Sequence, residues 1–247
     1  MFNHRFDQNV NNVVVLHWFL LSFNGGAINA GGFLATGKFV SHVTGFATLF
    51  GVGIERQEVD AAFGILSVPL FFLAGAFLAG LLIDGPISRG QKPHFDWVMG
   101  LSAACLFISA GGGELLHFGV FGSIGLKENY VLLVLLCLAS GLQNAAITSS
   151  SGRSIRTTHL TGLTTDLGLG LARILAYNLK KQLLAVEIRA NYLRAGSIVS
   201  FVVGSAVGAW IFANLGYRGF ILSALISTYA AWHGRNAKVS SHVLSPP

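Results

Sequence analysis

Six long apolar runs divide the chain, at about residues 13–35, 61–83, 98–120, 130–150, 195–215 and 219–233. Each is near the ~20 residues with which a helix crosses a hydrocarbon core, the last run being the shortest. Between the first and second runs, and again between the fourth and fifth, stand two short Gly-rich apolar stretches, 43–54 and 160–172. At about twelve or thirteen residues these are too short for a comfortable span and predict re-entrant half-helices. Segment 177–194 alternates charged and apolar residues at helical spacing, which predicts an interfacial helix on the cytoplasmic surface, with partner docking as its other reading. The tail from Lys238 to Pro247 is expected to be loose.

The two short stretches belong to one motif written twice. Residues 41–56 and 158–173 align without a gap and share His42/His159, Thr44/Thr161, Gly45/Gly162, Thr48/Thr165, Gly51/Gly168, Gly53/Gly170 and Arg56/Arg173. A shorter echo precedes each copy, since Gly26-Ala-Ile-Asn29-Ala30 matches Gly141-Leu-Gln-Asn144-Ala145. Two halves of one chain that each set Gly, Thr and His between hydrophobic stretches are a common build for small-solute transporters.

Charge decides how the halves are oriented. If the short segments re-enter, each half crosses three times and the halves are inverted; if they span, each crosses four times and the halves are parallel. With re-entry and a cytoplasmic N-terminus, Lys and Arg divide twelve inside to four outside, the four being Lys38, Arg56, Lys127 and Arg218; with spanning segments the split is ten to six. The positive-inside rule favours the first. The predicted fold is therefore an all-α integral membrane protein with about six transmembrane helices, two re-entrant half-helices and an inverted internal repeat. It forms a single membrane domain over 1–247, with repeat one at about 13–120 and repeat two at about 130–233. The expected location is the bacterial inner membrane, multi-pass, with the N-terminus cytoplasmic.

Composition narrows the partners. With 53% hydrophobic and 11% charged residues, against about 25% charged in soluble domains, the chain cannot clothe itself in a polar surface. Its partner is the lipid bilayer. The first twelve residues are polar and lack a small-residue cleavage site, so the first apolar run is expected to stay as a span. Net charge is +6, which in a membrane protein reads as cationic loops beside anionic lipid and not as nucleic-acid binding. Cys105 and Cys137 lie inside apolar runs without CxxC spacing and read as small core residues.

The candidate chemistry lies in the motif. Ser41 and Thr158 are favoured N-cap types, with Thr44 and Thr161 three positions on. A half-helix N-terminus inside the membrane presents free N–H groups and a positive dipole end, which suits anions and carboxylates. His42 and His159 are intramembrane ionisable residues and so candidates for proton coupling or substrate contact; the alternative is that each imidazole bonds a backbone carbonyl freed by the helix break. Metal binding is a minor reading, because no acidic or thiol ligands accompany them. Asn29, Gln143 and Asn144 either line a pathway or pair helices. Asp166, present only in the second copy, either pairs with Arg173 or titrates near His159. Gly45 and Gly162 are expected where the backbone approaches a neighbouring helix. Glu114 and His117 have the i, i+3 spacing of bundle metal sites, a weak signal from one copy, while Asp84, His94 and Asp96 around Gly85-Pro86 read as solvated loop residues. No metal, cofactor or enzymatic constellation is assigned.

The stretches from Gly31-Gly32-Phe33 to Gly45, and from Gly141-Leu-Gln-Asn144 through Arg156-Thr-Thr-His159-Leu-Thr-Gly162-Leu-Thr-Thr-Asp166-Leu-Gly168, resemble the YoaK-like family of bacterial multi-pass membrane proteins, over residues 13–233. That family is largely of unknown function, so the resemblance implies a membrane class and no activity. The family usually has Asn after the first Thr-Gly, where this chain has Phe46. The function expected from the residues is a small transporter or channel for a small solute, anionic solutes included, with proton coupling through His42, His159 and Asp166 as its mechanism. The alternative is a non-transporting integral subunit packed against a partner membrane complex or against further copies of itself.

Overall fold

A computed structural model describes residues 11–115, 118–123, 125–152, 155–176 and 181–236. Those residues form eight α-helices and no strand. In chain order they are α1 (Asn12–Thr36), α2 (Val43–Glu55), α3 (Val59–Ser88), α4 (Phe95–Leu115), α5 (Leu126–Ser150), α6 (Leu160–Ala176), α7 (Lys181–Leu215) and α8 (Phe220–Asn236), with a 3₁₀ turn at Gly216–Gly219. Among the described residues five apolar stretches are long enough to cross a membrane, the fifth, Leu183–Arg235, taking in nearly all of α7 and α8. Helices α2 and α6, at 13 and 17 residues, are shorter; they rise about 20 Å and about 26 Å, against a core of about 30 Å.

Two expectations about boundaries change. Asp84, Gly85 and Pro86 lie inside α3, which runs on to Ser88, and not in a loop. A proline there costs the helix one donor and strands the carbonyl four residues back; here that carbonyl, on Leu82, accepts the backbone N–H of His94 at 2.9 Å as the chain turns into α4. Residues 181–194 are not a separate helix but the first turns of α7, which passes residue 195 without a break; positions 177–180 of the expected interfacial helix lie outside the described residues. The cause is lateral: Glu187 is held by Arg194 at 3.0 Å and by Arg173 of α6 at 3.4 Å, so the charged face is tied to the bundle. This pairing also answers the expectation for Arg173, whose partner is Glu187 and not Asp166. The chain breaks at Gly216, between the two apolar runs, where a φ of +54° favours glycine.

Packing between the halves is reciprocal. Helix α1 lies along α7, and α3 along α5. A Cβ on Gly26 would strike the carbonyl of Phe201, and one on Gly204 would strike that of Phe23. In the other pair, Gly141 meets the carbonyl of Phe72 and Gly75 that of Leu138. Backbones can approach so closely only where the side chain is a hydrogen. The contacts also fix direction. Phe19 meets Gly196 and Gly31 meets Phe212, so α1 and α7 run parallel. Gly64 faces Leu126 and Ser67 bonds Tyr130, while Gly75 faces Leu138 and Leu142, so α3 and α5 are parallel too. Trp18 bonds Ser150 while Gly32 faces Leu136, which sets α1 antiparallel to α5. Helices α4 and α8 are likewise antiparallel, joined by Asp96–Arg235 at one end and Glu114–Arg218 at the other.

Large apolar side chains cover the outside, among them Leu70, Leu73 and Phe77 of α3 and Val199, Val202 and Trp210 of α7. An apolar exterior of this extent suits lipid and not water. Inside, two apolar clusters are bridged by a dry polar lock: the Asn24 amide donates to Gln143 Oε1 at 2.8 Å and to Ser227 Oγ at 3.2 Å, and Gln143 Nε2 donates to the Leu21 carbonyl at 2.9 Å.

Candidate functional site

The break after α1 turns on Gly37, whose φ of +70° ends the helix in a left-handed cap. The chain then runs through Phe39 to His42, the N-cap residue of α2. No side chain caps α2. The expected N-cap, Ser41, stands one position too early, and its hydroxyl donates instead to Asn29 Oδ1 at 3.1 Å. The second copy repeats the arrangement: Thr157 Oγ1 and the Thr158 backbone N–H both donate to Asn144 Oδ1, at 3.2 and 3.4 Å. A backbone N–H can only donate, so the Asn144 oxygen faces the break. Among the described residues neither Asn29 nor Asn144 has a partner for its amide nitrogen.

Both breaks open onto one cavity of about 1180 Å³. Each copy contributes its equivalent residues: Asn29 with Asn144, Ser41 with Thr158, His42 with His159, and Thr44 with Thr161. The third helix of each half adds Phe72 and Ala76 on α3 and, at matching places, Phe201 and Ser205 on α7. From this centre the cavity runs past Gly80 and Thr148 to a mouth with Asp84 and Arg156, at the ends where α3 and α5 finish. Among the described residues those two are the charged side chains of its lining. The centre therefore offers donors: two amide nitrogens, two imidazoles, and the first-turn N–H groups that a helix cannot satisfy internally.

Six of the ten expected site residues meet here, namely Asn29, His42, Thr44, Asn144, His159 and Thr161. The other four do not line the cavity. Gln143 is buried in the polar lock with Asn24. Asp166 is exposed, nearly two turns into α6. Gly45 has only its own motif's His42 Cβ nearby, at 3.6 Å, and Gly162 lies against the ring of His159. Neither glycine abuts a neighbouring helix, whereas Gly26, Gly75, Gly141 and Gly204 each face a backbone carbonyl of one. Phe46 is a core residue, 2% exposed, as is its counterpart Leu163, so the absence of Asn there removes nothing from the cavity. Glu114 is occupied by Arg218 at 3.1 Å, while His117 lies outside the described residues. No cluster of three or more metal-ligating side chains occurs among the described residues.

The sequence reading missed Phe39, Ser205, Ala76, Thr148, Asp84 and Arg156. One signal was available: Phe72-x-x-Gly75-Ala76 and Phe201-x-x-Gly204-Ser205 form a third echo between the halves.

A family described as "Protein of unknown function (DUF1275)" matches residues 17–232, a stretch that includes both motif copies and every helix that lines the cavity. The chain belongs to this family. It is also similar to the UPF0700 transmembrane protein YoaK of Bacillus subtilis (strain 168), at 24% identity over 191 residues, which covers 77% of this chain and 80% of that protein. The resemblance read from the motifs therefore holds, and with it a multi-pass membrane location. No solved structure matches.

Proposed function

We propose that this protein carries a small solute, with anions the class best suited, across the bacterial inner membrane through the cavity that the two motif copies share. The observation that carries the reading is that equivalent polar residues from both copies, His42 and His159 foremost, line one cavity in a bundle whose exterior is apolar. A protein that used its motifs only to lock helices would have them dry, as Asn24 and Gln143 are.

The reading includes an architecture. Taking α7 and α8 as separate spans makes six crossings, and α2 and α6 re-enter. The helix directions support this: Asn24 bonds Ser227 while His17 lies on His233, so α8 is antiparallel to α1. Helices α1, α4 and α7 thus run one way and α3, α5 and α8 the other, each long helix reversing the last. If α2 crossed completely, α3 would run parallel to α1. The first and fifth helices are antiparallel, as are the fourth and eighth, which supports an inverted repeat. With the N-terminus cytoplasmic, the Asp84–Arg156 mouth faces the cytoplasm.

The donors at the centre favour a solute that accepts hydrogen bonds, and the two helix N-termini favour negative charge. His42 and His159 are reached from the mouth and are assigned proton exchange. Asp166 takes no part in this version, since it lies off the cavity. The site binds and passes its solute without making or breaking bonds other than those to protons.

The test is flux into liposomes carrying the purified protein, with small anions such as chloride, formate and acetate and with small cations, each under an imposed pH gradient. Anion uptake that responds to the gradient and is lost in His42→Ala and His159→Ala is the expected result. Folded protein that passes none of these solutes would overturn the reading in favour of an integral subunit of a larger membrane assembly.

A further inference from the structure

The two ends of the pathway differ, and the difference falls on one residue. Counting back three places from each motif histidine gives Arg156 in the second copy and Phe39 in the first. Arg156 stands in the wide polar mouth. Phe39 stands at its counterpart on the opposite side, where α1 and α7 finish, and there the opening shrinks to a separate pocket of about 360 Å³. Three of the pocket's wall positions correspond in the repeat to mouth positions, and there Phe33 replaces Thr148, Leu34 replaces Ser149 and Ala209 replaces Gly80.

Asn29, Phe39 and Ser205 line both spaces, so little else separates the central cavity from the far pocket. The Phe39 ring stacks on Phe33 at 4.5 Å between centroids, nearly parallel at 16°, and leans on the His42 imidazole at 4.8 Å. Asn29 is fixed on α1 and Ser205 holds the Gly26 carbonyl across the α1–α7 contact, so neither can withdraw without moving a helix. Phe39 sits in the short connection after Gly37 and is 43% exposed, so a rotation of its side chain suffices.

Resting on the transport reading above, the geometry points to Phe39 as the gate that closes the far end of the pathway, braced by Phe33 and in contact with the histidine at the centre. The structure is then the state open toward Arg156 and shut toward Phe39. Opening the far side requires the ring to leave the Phe33–His42 stack, which links gate movement to whatever binds or protonates His42.

Side-specific labelling tests the gate without any need for a known solute. A single cysteine at Ser205, which lines both spaces, is introduced in a background of Cys105→Ala and Cys137→Ala. A membrane-impermeant thiol reagent is applied to sealed vesicles of either orientation. With Phe39 present, labelling is expected from the Arg156 side alone; in Phe39→Ala it is expected from both sides, with at least a tenfold gain in rate from the far side. Phe33→Ala, which removes only the brace, should give a smaller gain, and it stands in as the test variant if Phe39→Ala does not fold. Labelling from both sides in the parent, or one-sided labelling that neither substitution changes, overturns the gate. The two proposals fail separately: one-sided labelling relieved by Phe39→Ala, with no flux of any solute tested, would keep the gate and sink the transport reading.

Discussion

Gln143 and Asn144 are adjacent on α5, chemically near-identical, and meet opposite fates. Gln143 points into the lock with Asn24 and Leu21, where both ends of its amide are bonded and water is shut out. Asn144 points into the cavity, its oxygen bonded to the helix break and its nitrogen left open. The same contrast recurs on α1, where Asn24 is sealed and Asn29, five residues later, lines the cavity. A polar residue in a membrane helix is thus no guide to a pathway by itself. One step along a helix turns a side chain by about 100°, enough to move it from a helix–helix seam to a hollow.

That contrast breaks most readily at the lock. Gln143→Leu takes from the Asn24 amide the nearest of its three acceptors, leaving Ser227 Oγ and the Ser223 carbonyl, and takes from the Leu21 carbonyl its side-chain donor, at about 0.5–1.5 kcal/mol for each buried hydrogen bond lost. A clear fall in thermal midpoint in detergent is expected, whereas Asn144→Leu, whose lost bonds to Thr157 and Thr158 lie at the cavity wall where water can replace them, should fall less. Equal losses for the two variants would show that Asn144 is structural as well.

Comparable in size are the glycines. Gly26→Ala and Gly141→Ala drive a methyl into a backbone carbonyl of the facing helix and should each cost about 1–3 kcal/mol or more. Gly45→Ala meets only a 3.6 Å contact and should be neutral by the same melt.

Smaller still in stability, but decisive for function, are the cavity residues. His159→Ala and Asn29→Ala are expected to leave the melting temperature within a few degrees while reducing solute flux at least tenfold. Asp166→Asn should change neither. An Asp166→Asn variant as inactive as His159→Ala would return that carboxylate to the mechanism.

The weakest effect belongs to Glu114→Gln. Its bidentate pair with Arg218 is exposed, and such pairs contribute little on a wet surface. No measurable change in melting is expected.

Much of this architecture was legible in the sequence because a bilayer imposes length. The apolar runs found α1, α3, α4 and α5 to within a few residues, and the short Gly-rich stretches found α2 and α6. What went unread depends on lateral neighbours. Pro86 read as a loop because its stranded carbonyl finds a donor only in His94, on the next helix. Residues 181–194 read as a surface helix because the binding of Glu187 to α6 leaves no mark in the local pattern. At the site, the histidines, asparagines and threonines were visible as repeated letters. Phe39 and Arg156 were not, since they break the repetition, and the asymmetry they create matters only once the two ends are compared in space.

The exchange of partners between halves also bears on how the chain is made. Helix α3 begins at residue 59 and its partner α5 at residue 126, a wait of 67 residues; α1 begins at residue 12 and its partner α7 at residue 181, a wait of 169. At a synthesis rate of ~5–20 residues per second, the seam of α1 is uncovered for roughly 8–34 s. During that time the bare backbone at Gly26 and Gly31 lies against lipid or against whatever else is nearby in the membrane. The α3–α5 seam is therefore the first of the two that can close, and α1 is the helix that waits longest for its partner.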